Sequence, residues 1–297
     1  MLIITLRRLS LLTFALLTAC STTRSNTMAE HADHDTVAPS AGTVAQNAAL
    51  PADADNARAR LSASPRHSEW VMIPIGADSV RAWIVYPERK DKAPVVVVVH
   101  EIFGLSPWVR AVADQLAADG FIAIAPDLLT SKNLPNPTDS VPSQLATAAI
   151  RTLDPNDVHR QISAAANYAM ALPSATKKYG IVGYCWGGGV SFEHAVRSPS
   201  LGAAVVYYGV SPATASLASV NAPVLGLYGG NDARVGATIP PADSAMKALG
   251  KTYVPHTFEG AGHGFLRQQS GQNGANLAAT QKAWPETISW FRKYLGK

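Results

Sequence analysis

Only two cysteines, Cys20 and Cys185, occur in the 297 residues. That is no disulfide framework, so a stable fold has to come from packing, which this length allows. Charge is scarce as well: charged residues make up 15% of the chain, and the net charge of +4 falls to +2 without Arg7 and Arg8. So small and evenly spread an excess argues against a nucleic-acid partner. Long hydrophobic runs are missing too. The apolar stretch from Leu9 to Leu17 is interrupted by Ser10 and Thr13 and is too short to span a bilayer as a stable helix. No internal repeat is present. What remains is 47% apolar residues, enough for one sizeable core.

A charged start, a short apolar stretch and small residues at its end describe an export signal over residues 1–19. Its last residues, Leu17-Thr18-Ala19-Cys20, resemble the lipobox of bacterial lipoproteins. The resemblance implies cleavage before Cys20 and acyl chains on it, a stable anchor because each buried CH₂ adds roughly 0.8 kcal/mol. It implies an exported protein held at a membrane by lipid alone, facing the periplasm or the cell surface. By the same resemblance, Ser21 after the cysteine implies the outer membrane. The other reading is a plain signal peptide with an incidental cysteine.

Residues 20–65 carry almost no aromatic or β-branched aliphatic side chains and are rich in Ala, Asp, Ser, Thr and Asn. Such composition predicts a disordered tether. His31 and His34 within it read as solvated linker residues rather than metal ligands. From residue 66 the texture changes. A hairpin is predicted from Glu69–Ile75 and Val80–Tyr86, and the continuous β-branched run Val95–Val99 predicts a strand buried on both faces. A helix is expected to open at Ser106-Pro107 and stop at Gly120. Further strands are expected at Phe121–Ala125, Tyr179–Gly183, Ala203–Tyr208, Val224–Tyr228 and Tyr253–Phe258. Helices open at Asp154-Pro155, after Cys185 and at Pro241, and a last one carries Trp284, Ile288, Phe291 and Leu295 as core contacts. Strands alternating with helices predict an α/β fold over 66–297, a mostly parallel sheet covered on both faces.

Gly183-Tyr184-Cys185-Trp186-Gly187-Gly188 lies between a predicted strand and helix, the nucleophile-elbow pattern with cysteine in place of serine. The helix N-terminus favours thiolate there. Gly229-Gly230-Asn231-Asp232 and Gly260-Ala261-Gly262-His263-Gly264-Phe265 each follow a late strand. The order nucleophile, acid, histidine is that of α/β-hydrolases, and all three motifs fall at strand carboxyl ends, where parallel sheets gather catalytic groups. His194 and His256 read as structural.

With His-Glu-Ile-Phe-Gly at 100–104 and Ala-Pro-Asp-Leu at 125–128, these motifs resemble the dienelactone hydrolase family from about Glu69 to Leu295. The resemblance implies hydrolysis of a small ester or lactone through Cys185, Asp232 and His263, with no metal or cofactor. Backbone N–H groups of Ile102 and Trp186 would form the oxyanion hole. Glu101 would contact the resting thiol and take its proton when substrate displaces it, and Arg267 would bind a substrate carboxylate. A second such arginine is expected within 128–155, with Arg151 the candidate. The domain is expected to be a monomer. A broad-range esterase or thioesterase, and a tethered binding or redox-sensing protein on the same scaffold, remain the alternatives.

Overall fold

The computed structural model describes residues 47–136 and 139–296. The expected export signal over residues 1–19, Cys20, His31 and His34 lie outside them. Among the described residues no helix is long and apolar enough to cross a membrane.

Among the described residues eight strands form one sheet: β1 (Ser68–Ile75), β2 (Asp78–Val85), β3 (Ala93–Val99), β4 (Ile122–Pro126), β5 (Ala175–Tyr184), β6 (Ala203–Tyr207), β7 (Val224–Gly229) and β8 (Tyr253–Phe258), in the order β1-β2-β4-β3-β5-β6-β7-β8. β2 pairs antiparallel with β1 and β4, and every pair from β4 to β8 is parallel. The predicted mostly parallel α/β sheet is therefore present. The α-helices are α1 (Ala57–Ser62), α2 (Pro107–Ala118), α3 (Ser143–Ile150), α4 (Pro155–Ala171), α5 (Trp186–Arg197), α6 (Ala233–Gly236), α7 (Ile239–Ala248) and α8 (Ala275–Leu295).

β3 shows how the sequence builds two cores at once. Side chains alternate across a strand, so Val96 and Val98 enter one apolar cluster with Trp108 and Val112 of α2 and Trp284 and Phe291 of α8. Val95, Val97 and Val99 enter the other, with Val158 and Ile162 of α4, Phe192 of α5 and Met246 of α7. After β3 the chain turns to β4 on one side, and later returns to β5 on the other. Ligand sites in parallel sheets form at such reversals, and the register sets Val99 beside Gly183, bringing the segments that follow β3 and β5 together.

The structure corrects the domain boundary at 66. Residues 47–65 are part of the packed unit: Leu50, Ala52 and Ala57 are buried in the same cluster as Trp108. Trp108 Nε1–H donates to Ala52 O at 3.0 Å, Gln269 N–H donates to Asp53 Oδ2 at 2.7 Å, and Arg60 donates to Leu50 O at 2.7 Å and to Gln115 Oε1 at 2.8 Å. A few apolar side chains and a dense set of polar contacts hold a segment whose composition predicts a tether.

Candidate active site

The turn between β5 and α5 sets Cys185 in a backbone conformation that side chains rarely adopt, φ 56° and ψ −118°. The neighbouring structure over-determines that strain. Cys185 N–H donates to Tyr207 O at 3.1 Å, and Cys185 O accepts from Gly188 N–H at 3.0 Å. The glycines permit the close approach: a Cβ on Gly183 would lie 1.9 Å from Gly187 O, and one on Gly187 would lie 2.4 Å from His100 O. Gly209, which the sequence reading passed over, is equally confined, since a Cβ there would lie 2.2 Å from Gly189 N.

Asp232 and His263 come from loops that are stitched together. Gly230 N–H donates to Phe258 O at 2.8 Å and Asn231 N–H to Ala261 O at 2.9 Å, while Asn231 Nδ2 donates to Gly260 O at 3.0 Å. His263 Nδ1–H donates to Asp232 Oδ2 at 2.5 Å, and His263 Nε2 lies 3.1 Å from Cys185 Sγ. The ring of Tyr208 meets that of His263 edge-on at 5.1 Å. The predicted triad residues thus form one continuous chain of contacts.

Charge follows this geometry. Burial works against a charged His263, but hydrogen bonds to Asp232 and Cys185 and their opposite charges outweigh it and raise its pKa to about 10. Burial likewise opposes the Asp232 carboxylate, yet His263 and the Val235 N–H hold its pKa below the ordinary value. An imidazolium is therefore held between carboxylate and sulfur.

Glu101 is buried just beyond β3. Its Oε2 lies 3.3 Å from Arg267 Nε, an ionic contact without the alignment of a hydrogen bond. Burial raises its pKa to about 7, against the opposing pull of Arg267 and His263. The expected resting contact between Glu101 and the thiol is not what the structure shows: the hydrogen bond at Sγ is to His263, and the carboxylate faces Arg267. The Arg267 guanidinium lies 4.8 Å from the centre of the Phe103 ring. Arg151 caps the end of α3, exposed, and no hydrogen bond or ion pair joins it to the site.

Ile102 and Trp186 pack together against Leu129, Ala146 and Ile150, so α3, absent from the sequence reading, covers this flank. Trp186 opens α5, where an N–H has no intrahelical acceptor. His194 is buried, 3.0 Å from Tyr179 Oη, with Nδ1 3.2 Å from His159 Nδ1. His256 sits on the surface, its Nδ1 2.6 Å from Glu286. Among the described residues no group of three or more His, Cys, Asp or Glu is placed to hold a metal.

Residues 80–295 match the sequence model of the dienelactone hydrolase family, a span that contains every one of these site residues. The chain belongs to the dienelactone hydrolase family. A Salmonella typhimurium (strain LT2) protein named "Putative carboxymethylenebutenolidase" is 32% identical over 237 residues, covering 76% of this chain and 87% of its own length. The crystal structure of a "Putative Dienelactone Hydrolase" from Klebsiella pneumoniae subsp. pneumoniae MGH 78578 superposes with a TM-score of 0.69 at 26% identity, covering 77% of this chain and 99% of that one. The dienelactone hydrolase from Anabaena variabilis ATCC 29413 shares the fold, with a TM-score of 0.59 at 24% identity over 77% of this chain and 99% of that one. Membership makes this dienelactone hydrolase-family chain a hydrolase. The packed segment 47–65 lies outside the matched span.

Proposed function

We propose that the chain hydrolyses ester or lactone bonds by acyl transfer through Cys185. The unbroken contact from Asp232 Oδ2 through His263 to Cys185 Sγ carries this reading. The sulfur attacks the carbonyl carbon, and the N–H groups of Ile102 and Trp186 stabilise the oxyanion, such donors each being worth about 3–4 kcal/mol. Collapse breaks the bond to the leaving oxygen, which takes the proton from His263 Nε2 and leaves a thioester on Cys185. Neutral His263 then accepts a proton from the attacking water, and the second collapse releases the acid and the sulfur. Asp232 orients the ring and stabilises its cation in both halves.

Arg267 is the proposed contact for a substrate carboxylate, with Glu101 as the charge it exchanges for that carboxylate. A partly exposed guanidinium beside a buried carboxylate supports that exchange. The Salmonella relative's name directs the first substrates to lactones bearing a carboxylate. Cys20 is the proposed site of lipid attachment, supported by Leu17-Thr18-Ala19-Cys20 at the end of the apolar run. The test is turnover of p-nitrophenyl acetate and of lactones with and without a carboxylate, in the wild type and in Cys185→Ala. Turnover that persists in Cys185→Ala refutes the reading. A reactive thiol without turnover leaves the redox-sensing alternative in its place.

A further inference from the structure

The proposed triad does not use His100, although it is fully buried just beyond the end of β3. Its Nδ1 lies 2.8 Å from Glu101 O, and its Nε2 lies 3.3 Å from Leu128 N. A carbonyl oxygen can only accept and a backbone N–H can only donate. The ring is therefore the neutral tautomer with its proton on Nδ1, which donates to Glu101 O, while Nε2 accepts from Leu128 N–H. Burial also lowers its pKa, which keeps that neutral form.

The acceptor of the Nδ1 proton is half of a peptide unit whose other half is the N–H of Ile102. A planar trans peptide points its C=O and its N–H in opposite directions. A donor that fixes where Glu101 C=O points therefore fixes where Ile102 N–H points. Gly104 N–H donates to the same oxygen at 3.2 Å, so two donors hold this carbonyl. The other face of the arrangement reaches the second donor: the His100 ring stacks on Trp186 at 5.6 Å between centroids. His100 O also sits where a Cβ on Gly187 would need to go, which presses the end of β3 against the first turn of α5.

We infer that His100 is a positioning residue for the oxyanion hole, its Nδ1–H holding the Glu101–Ile102 peptide so that the Ile102 N–H faces the reacting carbonyl. A peptide free to rotate would present Glu101 O to the developing oxyanion in place of a donor. The inference rests on the acyl-transfer reading above.

The experiment compares His100→Phe, which keeps a ring against Trp186 and removes both nitrogens, with His100→Asn, whose side-chain N–H can occupy the Nδ1 position. Two rates are measured on each variant: p-nitrophenyl acetate turnover, whose transition state develops an oxyanion, and Cys185 alkylation by iodoacetamide, whose transition state does not. His100→Phe should lower kcat by about 10²-fold, the lower end of the loss from removing one oxyanion donor, with KM and alkylation near the wild type. His100→Asn should recover most of kcat even though its thermal midpoint falls through the lost ring packing. Equal loss of turnover and alkylation in His100→Phe, wild-type kcat in that variant, or no recovery in His100→Asn overturns the inference. Cys185→Ala is assayed alongside: turnover that survives there defeats the acyl-transfer reading itself, whatever the His100 variants do.

Discussion

Glu101 and Arg267 face each other 3.3 Å apart at the end of β3, the carboxylate almost fully buried and the guanidinium partly exposed. The pair is unequal, because burial outweighs the arginine and leaves the carboxyl with a pKa of about 7 against an ordinary 4.5. The folded protein then binds this proton more tightly than the unfolded chain. Stability contributed by Glu101 is complete below about pH 4.5 and is lost as pH rises to about 7. Glu101→Gln removes the titration, so its thermal midpoint should vary less between these pH values than that of the wild type. Calorimetry across the window checks this, and an unchanged slope contradicts it.

His263 titrates in the opposite setting. Its pKa of about 10 means that the imidazolium stands beside sulfur through neutral pH. The contact of His263 Nε2 with Cys185 Sγ should therefore make iodoacetamide label the substrate-free wild type faster than His263→Ala at the same pH. Equal labelling rates in the two would show that His263 does not activate the sulfur and would return Glu101 to the role of its base.

The packed N-terminal segment predicts a stability difference. A chain beginning at residue 66 loses the burial of Leu50, Ala52 and Ala57 and the bond from Trp108 to Ala52. Full burial of one leucine alone is worth about 1.5–3 kcal/mol. Each kcal/mol shifts the midpoint of a domain this size by about 2–4 °C. The shortened chain should melt at least several degrees below one beginning at residue 47. Equal midpoints would show that the segment contributes nothing.

Gly209 supplies a test away from the named motifs. A methyl group there meets the backbone of Gly188 and Gly189 at 2.2–2.7 Å, so Gly209→Ala has to push the first turn of α5 and with it Cys185. Overpacking of this kind costs about 1–3 kcal/mol, and esterase turnover should fall together with the melting midpoint. A variant with both at wild-type values contradicts the tight elbow.

These cases show what the sequence made legible. β8 was read to the residue, and α4 was placed by Asp154-Pro155, whose aspartate side chain accepts from Asn156 N–H. β5 was read short, from 179 rather than 175, because Lys177 and Lys178 break its apolar run at the exposed end. The segment 47–65 was missed because two short buried stretches, 50–52 and Ala57, and backbone acceptors leave no periodic pattern. α3 was missed because only Ala146 and Ile150 of its eight residues are buried. The contact of Cys185, His263 and Asp232 was foreshadowed in the sequence, because each follows a strand in a glycine-containing loop. The partner of Glu101 was not, because which charge a buried carboxylate faces depends on packing between distant loops. His100 stood in a quoted motif, but its tautomer, and so its reach into the next peptide, is visible only from its two partners.

In the proposed reaction the acyl group passes through Cys185. Rapid quench of the wild type with p-nitrophenyl acetate, followed by peptide mass spectrometry, tests it most directly. Acyl transfer through Cys185 leaves an acetyl group on the Cys185 peptide, longer-lived in His263→Ala, and neither acetylation nor turnover in Cys185→Ala. An acetyl group on another side chain, or turnover that survives Cys185→Ala, would contradict it.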